Sequence, residues 1–192
     1  MKARLVLLAA IAAVVGLNAC GNPTSLTASL PTSTDSLSIF ALSGTPAAYP
    51  SGLALVQRAP VRVDGSAGFD VAFDINANGD VVIYPVKLVV ASPSSARPVG
   101  LQKIAGTFEQ ITTAPNSGFE LDSALVMPVG QVVVVQSAHN ISGDLCQFAL
   151  NPNIFAKVVV DSINTASRVI YFKLGVDPNC GFRSFAVGIP TG

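Results

Sequence analysis

Asp74, Asn76, Asn78 and Asp80 occupy alternate positions in the stretch FDINANGDVVIYP, and Gly79 follows the third of them. Oxygen donors at every second residue, then glycine, form the opening half of a calcium-binding loop, where hard ligands wrap one cation. The same residues also suit the tip of a β-hairpin, because asparagine and glycine tolerate the left-handed backbone that a tight turn needs. Two features count against calcium. Pro85 stands at the twelfth loop position, where a bidentate glutamate belongs, and only Asp74 and Asp80 are anionic.

Two other groupings have residue types capable of chemistry. Asp64 and Asp70 fall on one face if the stretches around them pair as a hairpin, with Arg62 one step along. Carboxylates about 5 Å apart repel and raise one pKa, as a general acid or a metal clasp requires. The plainer expectation is a solvated face with Arg62 between them. His139 is the only histidine, close in sequence to Ser137, Ser142 and Asp144. Triad members usually converge from separate elements, so a loop histidine is the expectation here. No nucleophile elbow, two-histidine zinc helix or phosphate-cradling glycine loop occurs. These readings predict no enzyme activity, no cofactor and no metal, with the Asp74–Asp80 loop as a weak calcium candidate.

The chain has three cysteines, Cys20, Cys146 and Cys180. With Cys20 set aside for the reason given below, Cys146 and Cys180 remain as a pair, and in an oxidising space a disulfide is expected.

The elements that must position these residues are strands. Phe69, Val71, Phe73 and Ile75 alternate with Asp70, Ala72, Asp74 and Asn76, the period of two of a half-buried strand. Pairing apolar with apolar residues predicts two hairpins. A loop Ser66-Ala67-Gly68 sets Val63 opposite Val71 and Val61 opposite Phe73. A loop Ala77-Asn78-Gly79 sets Ile75 opposite Val81 and Phe73 opposite Ile83. Each puts glycine where a type I turn with a G1 bulge requires it. The apolar parity switches at Pro85, which predicts a bulge or edge before Val86, Leu88 and Val90. Residues 101–127 read as strand, 130–137 as a short buried strand, and 182–188 as a last strand. A hairpin around Asn164 is predicted to set Ala156, Val158, Val160, Ile170, Phe172 and Leu174 on one core face. Strands at about ten-residue spacing predict an all-β fold, an antiparallel β-sandwich or alternatively a small β-barrel.

The amino-terminal stretch MKARLVLLAAIAAVVGLNAC has basic Lys2 and Arg4, then an apolar run from Leu5 to Leu17 that is too short to span a bilayer. Leu17-Asn18-Ala19-Cys20 resembles the lipobox of bacterial lipoproteins, although Asn18 departs from the usual small or β-branched residue. The resemblance implies cleavage after Ala19 and lipidation of Cys20. Gly21, not aspartate, after the cysteine implies the outer membrane. Residues 1–19 then form the signal peptide. Residues 20–35 carry the lipidated cysteine and a Ser/Thr/Pro-rich tether, spanning roughly 20 Å on average. The β domain is expected over 36–192.

Half of the residues are hydrophobic and 11 % are charged, so the chain can bury a large core. Without Lys2 and Arg4, nine basic residues face eleven acidic ones and no basic cluster remains, which argues against nucleic acid as a partner. The absence of tryptophan weakens any case for a sugar- or base-stacking platform. The expected function is a membrane-anchored envelope lipoprotein whose β-sandwich is a non-catalytic binding or structural module. Its partners would be the membrane, through the lipid, and an envelope protein. A carrier of apolar ligands and a carboxylate-based hydrolase are the alternatives.

Overall fold

The computed structural model describes residues 27–64 and 68–190. The leader, Cys20 and the loop residues Ser66 and Ala67 lie outside the described residues.

Two antiparallel sheets face one another, and neither closes into a barrel. The larger contains β1 (Ser33–Phe40), β6 (Val99–Ile104), β7 (Glu120–Leu121), β9 (Val132–Ala138), β10 (Asn153–Asn164) and β11 (Val169–Asp177), in the order β1-β11-β10-β9-β6-β7. The smaller contains β2 (Gly52–Ala54), β3 (Ala59–Val61), β4 (Val71–Ile75), β5 (Val81–Pro85) and β8 (Leu125–Met127), in the order β3-β2-β4-β5-β8. The fold is the sandwich, not the barrel.

The two predicted hairpins fared differently. β4 and β5 pair with Ile75 opposite Val81 and Phe73 opposite Ile83, as apolar matching requires. Gly79 sits at φ +86°, and the Asn76 side chain accepts the N–H groups of Asn78 and Asp80, which closes the turn. The other hairpin is overturned. β2 lies between β3 and β4, with Gly52 opposite both Val61 and Ala72. At three residues, β2 is too short to show alternation in the sequence. Gly52 permits the close packing there, since a Cβ would meet Val63 at 3.0 Å and Phe69 at 3.1 Å.

The hairpin of β10 and β11 holds the predicted core face. Val158 stands opposite Leu174 and Val160 opposite Phe172, before a bulge shifts the register between Val160 and Ser162. Phe172 meets Phe73 of the facing sheet with ring centroids 5.4 Å apart, so aromatic rings fill the space between the sheets. Residues 132–135 of β9 and 154–160 of β10 are buried on both faces, and their sequences accordingly run apolar, broken only by Lys157. Val133, Val135, Ala156 and Val158 join the inter-sheet core. Val132, Val134, Phe155 and Val159 pack outward against Phe108, Ile111, Ala114 and Phe185.

That outer cover corrects two strand expectations. Only Val99–Ile104, Glu120–Leu121 and Leu125–Met127 of the region around 101–127 are strand; Phe108, Ile111 and Ala114 come from the irregular segment between β6 and β7. Residues 182–188 make isolated bridges, Thr113 with Ser184 and Thr32 with Gly188, where a last strand was expected. After Pro85 the chain does not continue as a strand but turns into a 3-10 helix over Val86–Leu88, which is why the apolar parity switched. The domain also begins earlier than Ser36. β1 starts at Ser33, Thr32 pairs with Gly188, and Ser29 and Leu30 are already hydrogen-bonded to Asn179.

Candidate functional site

Asp70 is the centre of the most polar region of the interior. Its backbone is fixed by an N–H bond to Leu53 and a carbonyl bond from Val86, just before β4 begins. Its carboxylate points inward. Oδ2 accepts the Leu55 N–H at 2.8 Å. Oδ1 accepts the Ser137 hydroxyl at 2.6 Å and Arg97 Nη1 at 3.1 Å, and lies 3.0 Å from His139 Nε2. Arg97 Nη2 reaches on to Asp144 at 2.9 Å. Asp70, Ser137 and His139 are each at most 3 % exposed. The cluster bridges the sandwich: Asp70 and Leu55 belong to the small-sheet side, Ser137 lies on β9, and Arg97 and His139 flank β6 and β9.

Burial alone would push the Asp70 carboxyl up. The His139 hydrogen bond and attraction, the Arg97 guanidinium and the Ser137 hydroxyl outweigh it and hold the carboxyl below its ordinary 3.8. The arrangement contains serine, histidine and aspartate, but not wired for nucleophilic attack. Ser137 Oγ donates to Asp70 rather than to the histidine, and it is fully buried. The geometry is that of a charge clamp joining two sheets.

One sequence expectation is overturned here and another gains a setting. Asp64 and Asp70 do not form a cross-strand pair, because β2 separates their stretches; Asp64 is bonded to Arg62, and Asp70 is buried rather than on an outer face. His139 does lie in a loop, directly after β9, but its backbone N–H bonds to the Pro152 carbonyl and its ring is buried against Asp70. Ser137 and Asp144 do enter its neighbourhood, through Asp70 and Arg97. Sequence reasoning missed Arg97 altogether. Its one visible signal is that it is the only charge between Lys87 and Lys103, preceding Pro98 in a turn-rich stretch.

Two of the four calcium candidates, Asp74 and Asn76, have their side-chain oxygens taken up by the fold. Asp74 accepts the N–H and hydroxyl of Ser43 and lies 2.9 Å from Arg168 Nη2. Partial burial raises its pKa, but the hydrogen bonds from Ser43, Ile75 and Arg168 prevail and lower it. Asn76 closes its own turn, as described above. Among the described residues no group of three or more His, Cys, Asp or Glu side chains could hold a metal ion. Titrating millimolar calcium into the protein in a calorimeter is expected to give no saturable heat. Asp74→Ala is expected to cost about 1–2 kcal/mol in urea unfolding, because Arg168 and Ser43 lose their shared acceptor. A saturable calcium heat lost on Asp80→Ala would reverse that reading.

Cys146 and Cys180 are bridged, with Cα atoms 5.6 Å apart. Asn179, beside Cys180, takes the N–H groups of Ser29 and Leu30 on Oδ1 and returns Nδ2 to the Leu30 carbonyl. Asp177 holds Asn179 in place through Oδ1; burial raises the Asp177 pKa more than those hydrogen bonds lower it.

Lys157 is a buried cation. Its ammonium donates to the carbonyls of Phe108 and Ile111, the latter at 2.8 Å, and sits 4.1 Å from the Phe108 ring centroid. Burial lowers its pKa, partly offset by Glu109. It pins the irregular segment over the outer core. No family model matches this chain, and no curated protein or solved structure matches it either, so its function is argued from its own residues.

Proposed function

We propose that this chain is a lipid-anchored envelope protein whose β-sandwich works as a non-catalytic binding or structural module. The observation that carries the reading is the Cys146–Cys180 bridge, which stands where the chain leaves β9 and where it has just completed β11. A disulfide bracing a small domain suits a compartment outside the reducing cytosol. It also accounts for two of the three cysteines and leaves Cys20, at the end of the apolar leader, for the acyl chains. Two or three such chains anchor stably where one does not.

The module reading is supported by how the interior is used. Asp70, Ser137, His139 and Arg97 satisfy one another, and the Phe73–Phe172 stack occupies the space that a carrier would keep for its ligand. The test is the mature protein itself. After expression with radiolabelled palmitate, it is expected to incorporate label, to begin at Cys20 by mass and to fractionate with outer membranes. The Cys20→Ser chain should stay unlabelled and uncleaved. An unlabelled protein still beginning at Met1 in the soluble cytosolic fraction would defeat the proposal.

A further inference from the structure

The segment between β9 and β10, residues 139–152, carries the most exposed apolar side chains of the described protein. Phe148 is 92 % and Leu150 96 % exposed, and Ile141 and Leu145 beside them are about half exposed. Side chains of this size gathered on one short segment mark a contact surface rather than chance exposure. The segment is held in shape. His139 bonds to Pro152, Cys146 N–H bonds to the His139 carbonyl, and Cys146 is buried in its bridge to Cys180. It presents a braced apolar tip.

Where the amino-terminal side of the domain ends decides what the tip faces. Ser29 and Leu30 are bonded to Asn179, next to Cys180. A groove of about 320 Å³ is lined by Thr27, Ser29 and Leu30 on the incoming chain and by Leu145, Ala149 and Phe182 across from it. The chain toward Cys20 therefore leaves from beside the tip. From Thr27 to Cys20 is seven residues, at most about 25 Å of extended chain. The opposite end of the sandwich carries the β10–β11 turn and Tyr49, whose ring packs on Phe40, itself opposite Val169.

We propose that the Ile141–Leu150 tip is a membrane-contacting surface: its apolar side chains enter the interfacial layer of a phospholipid bilayer beside the lipid anchor. The inference rests on Cys20 being the anchor, as proposed above. Charge fits a lipid surface met by apolar contact. Among residues 139–152 the only acidic or basic side chain besides His139 is Asp144, and Arg97 pairs with it at 2.9 Å. The tip thus inserts without carrying an unpaired carboxylate toward the headgroups, and without basic residues to attract anionic lipid.

The chain has no tryptophan, so one introduced residue reports alone. Full-length acylated protein carrying Phe148→Trp, and separately Tyr49→Trp, is reconstituted into phosphatidylethanolamine/phosphatidylglycerol vesicles with brominated acyl chains. Insertion to the usual interfacial depth should roughly halve the emission at position 148 and leave position 49 unchanged. Equal, unquenched emission from both positions, in protein that floats with the vesicles, overturns the membrane surface and leaves the anchor standing. Protection of position 148 only when solubilised envelope protein is added also overturns it, in favour of a protein partner. Should mass show no acyl group, the anchor reading falls. The same quenching measured with excess vesicles then decides the surface by itself, with quenching upholding it and none overturning it.

Discussion

Asp70→Ala is expected to destabilise the domain by about 3–5 kcal/mol, the largest effect of any single substitution considered for this protein. The carboxylate receives the Leu55 N–H, the Ser137 hydroxyl, Arg97 and His139. Removing it strands a backbone donor and a fully buried hydroxyl and takes from Arg97 one of its two carboxylate partners, and the penalty is that of groups left unpaired. Asp70→Asn keeps the shape and one acceptor oxygen but no charge, so its loss should be smaller. Urea unfolding of the oxidised protein measures both. A loss below about 1 kcal/mol for the alanine variant would mean that the two sheets do not depend on this clamp.

The same residue shapes the acid limb. Asp70 and Asp74 both titrate below their ordinary 3.8 when folded, so each contributes stability that is fully present above pH 3.8. That contribution drains away as the pH falls from 3.8 through the lower folded values. Asp177 has the opposite sign: burial raises its pKa, so its ionised form costs stability, and acid relieves the cost. Wild-type stability is expected to fall below pH 3.8, and the Asp70→Ala variant to show a flatter decline there.

The second large effect is the disulfide. Cys146→Ala with Cys180→Ala is expected to lower stability by about 3–4 kcal/mol, from the entropy that a closed loop of this length removes from the unfolded chain. The two cysteines are 34 residues apart in sequence. The loss should not be uniform. Residues 139–152 and the pinned strand entry at Ser29 and Leu30 flank the bridge, so their amides should gain hydrogen exchange first. Reductant should bring the wild type close to the double variant and leave the double variant unchanged. Two thiols that alkylate freely in protein isolated without reductant would show the pairing to be wrong.

Much of the fold was legible because its signals are local. The turn at Ala77-Asn78-Gly79 follows from a glycine at the left-handed position and apolar residues at matching distances on either side. The β10–β11 core face follows from the period of two. The Cys146–Cys180 pairing follows from counting cysteines and expecting an oxidising compartment. The first hairpin failed on the same logic, because alternation says which face a residue takes, not which strand lies beside it. A three-residue strand, Gly52–Ala54, took the place reserved for β3.

The sequence by itself determined an all-β chain, its clearest turn and its covalent brace, since each depends on neighbours in the chain or on a simple count. Only the tertiary structure decided the fate of Asp70, His139, Arg97 and Lys157. Each is polar in the sequence, and a polar residue in an alternating strand or a turn reads as facing water. Burial of such a group becomes stable only when partners arrive from distant segments. Asp70 lies 67 residues from Ser137 in the chain, and Lys157 lies 46 from the Ile111 carbonyl that it holds. No local pattern encodes those meetings.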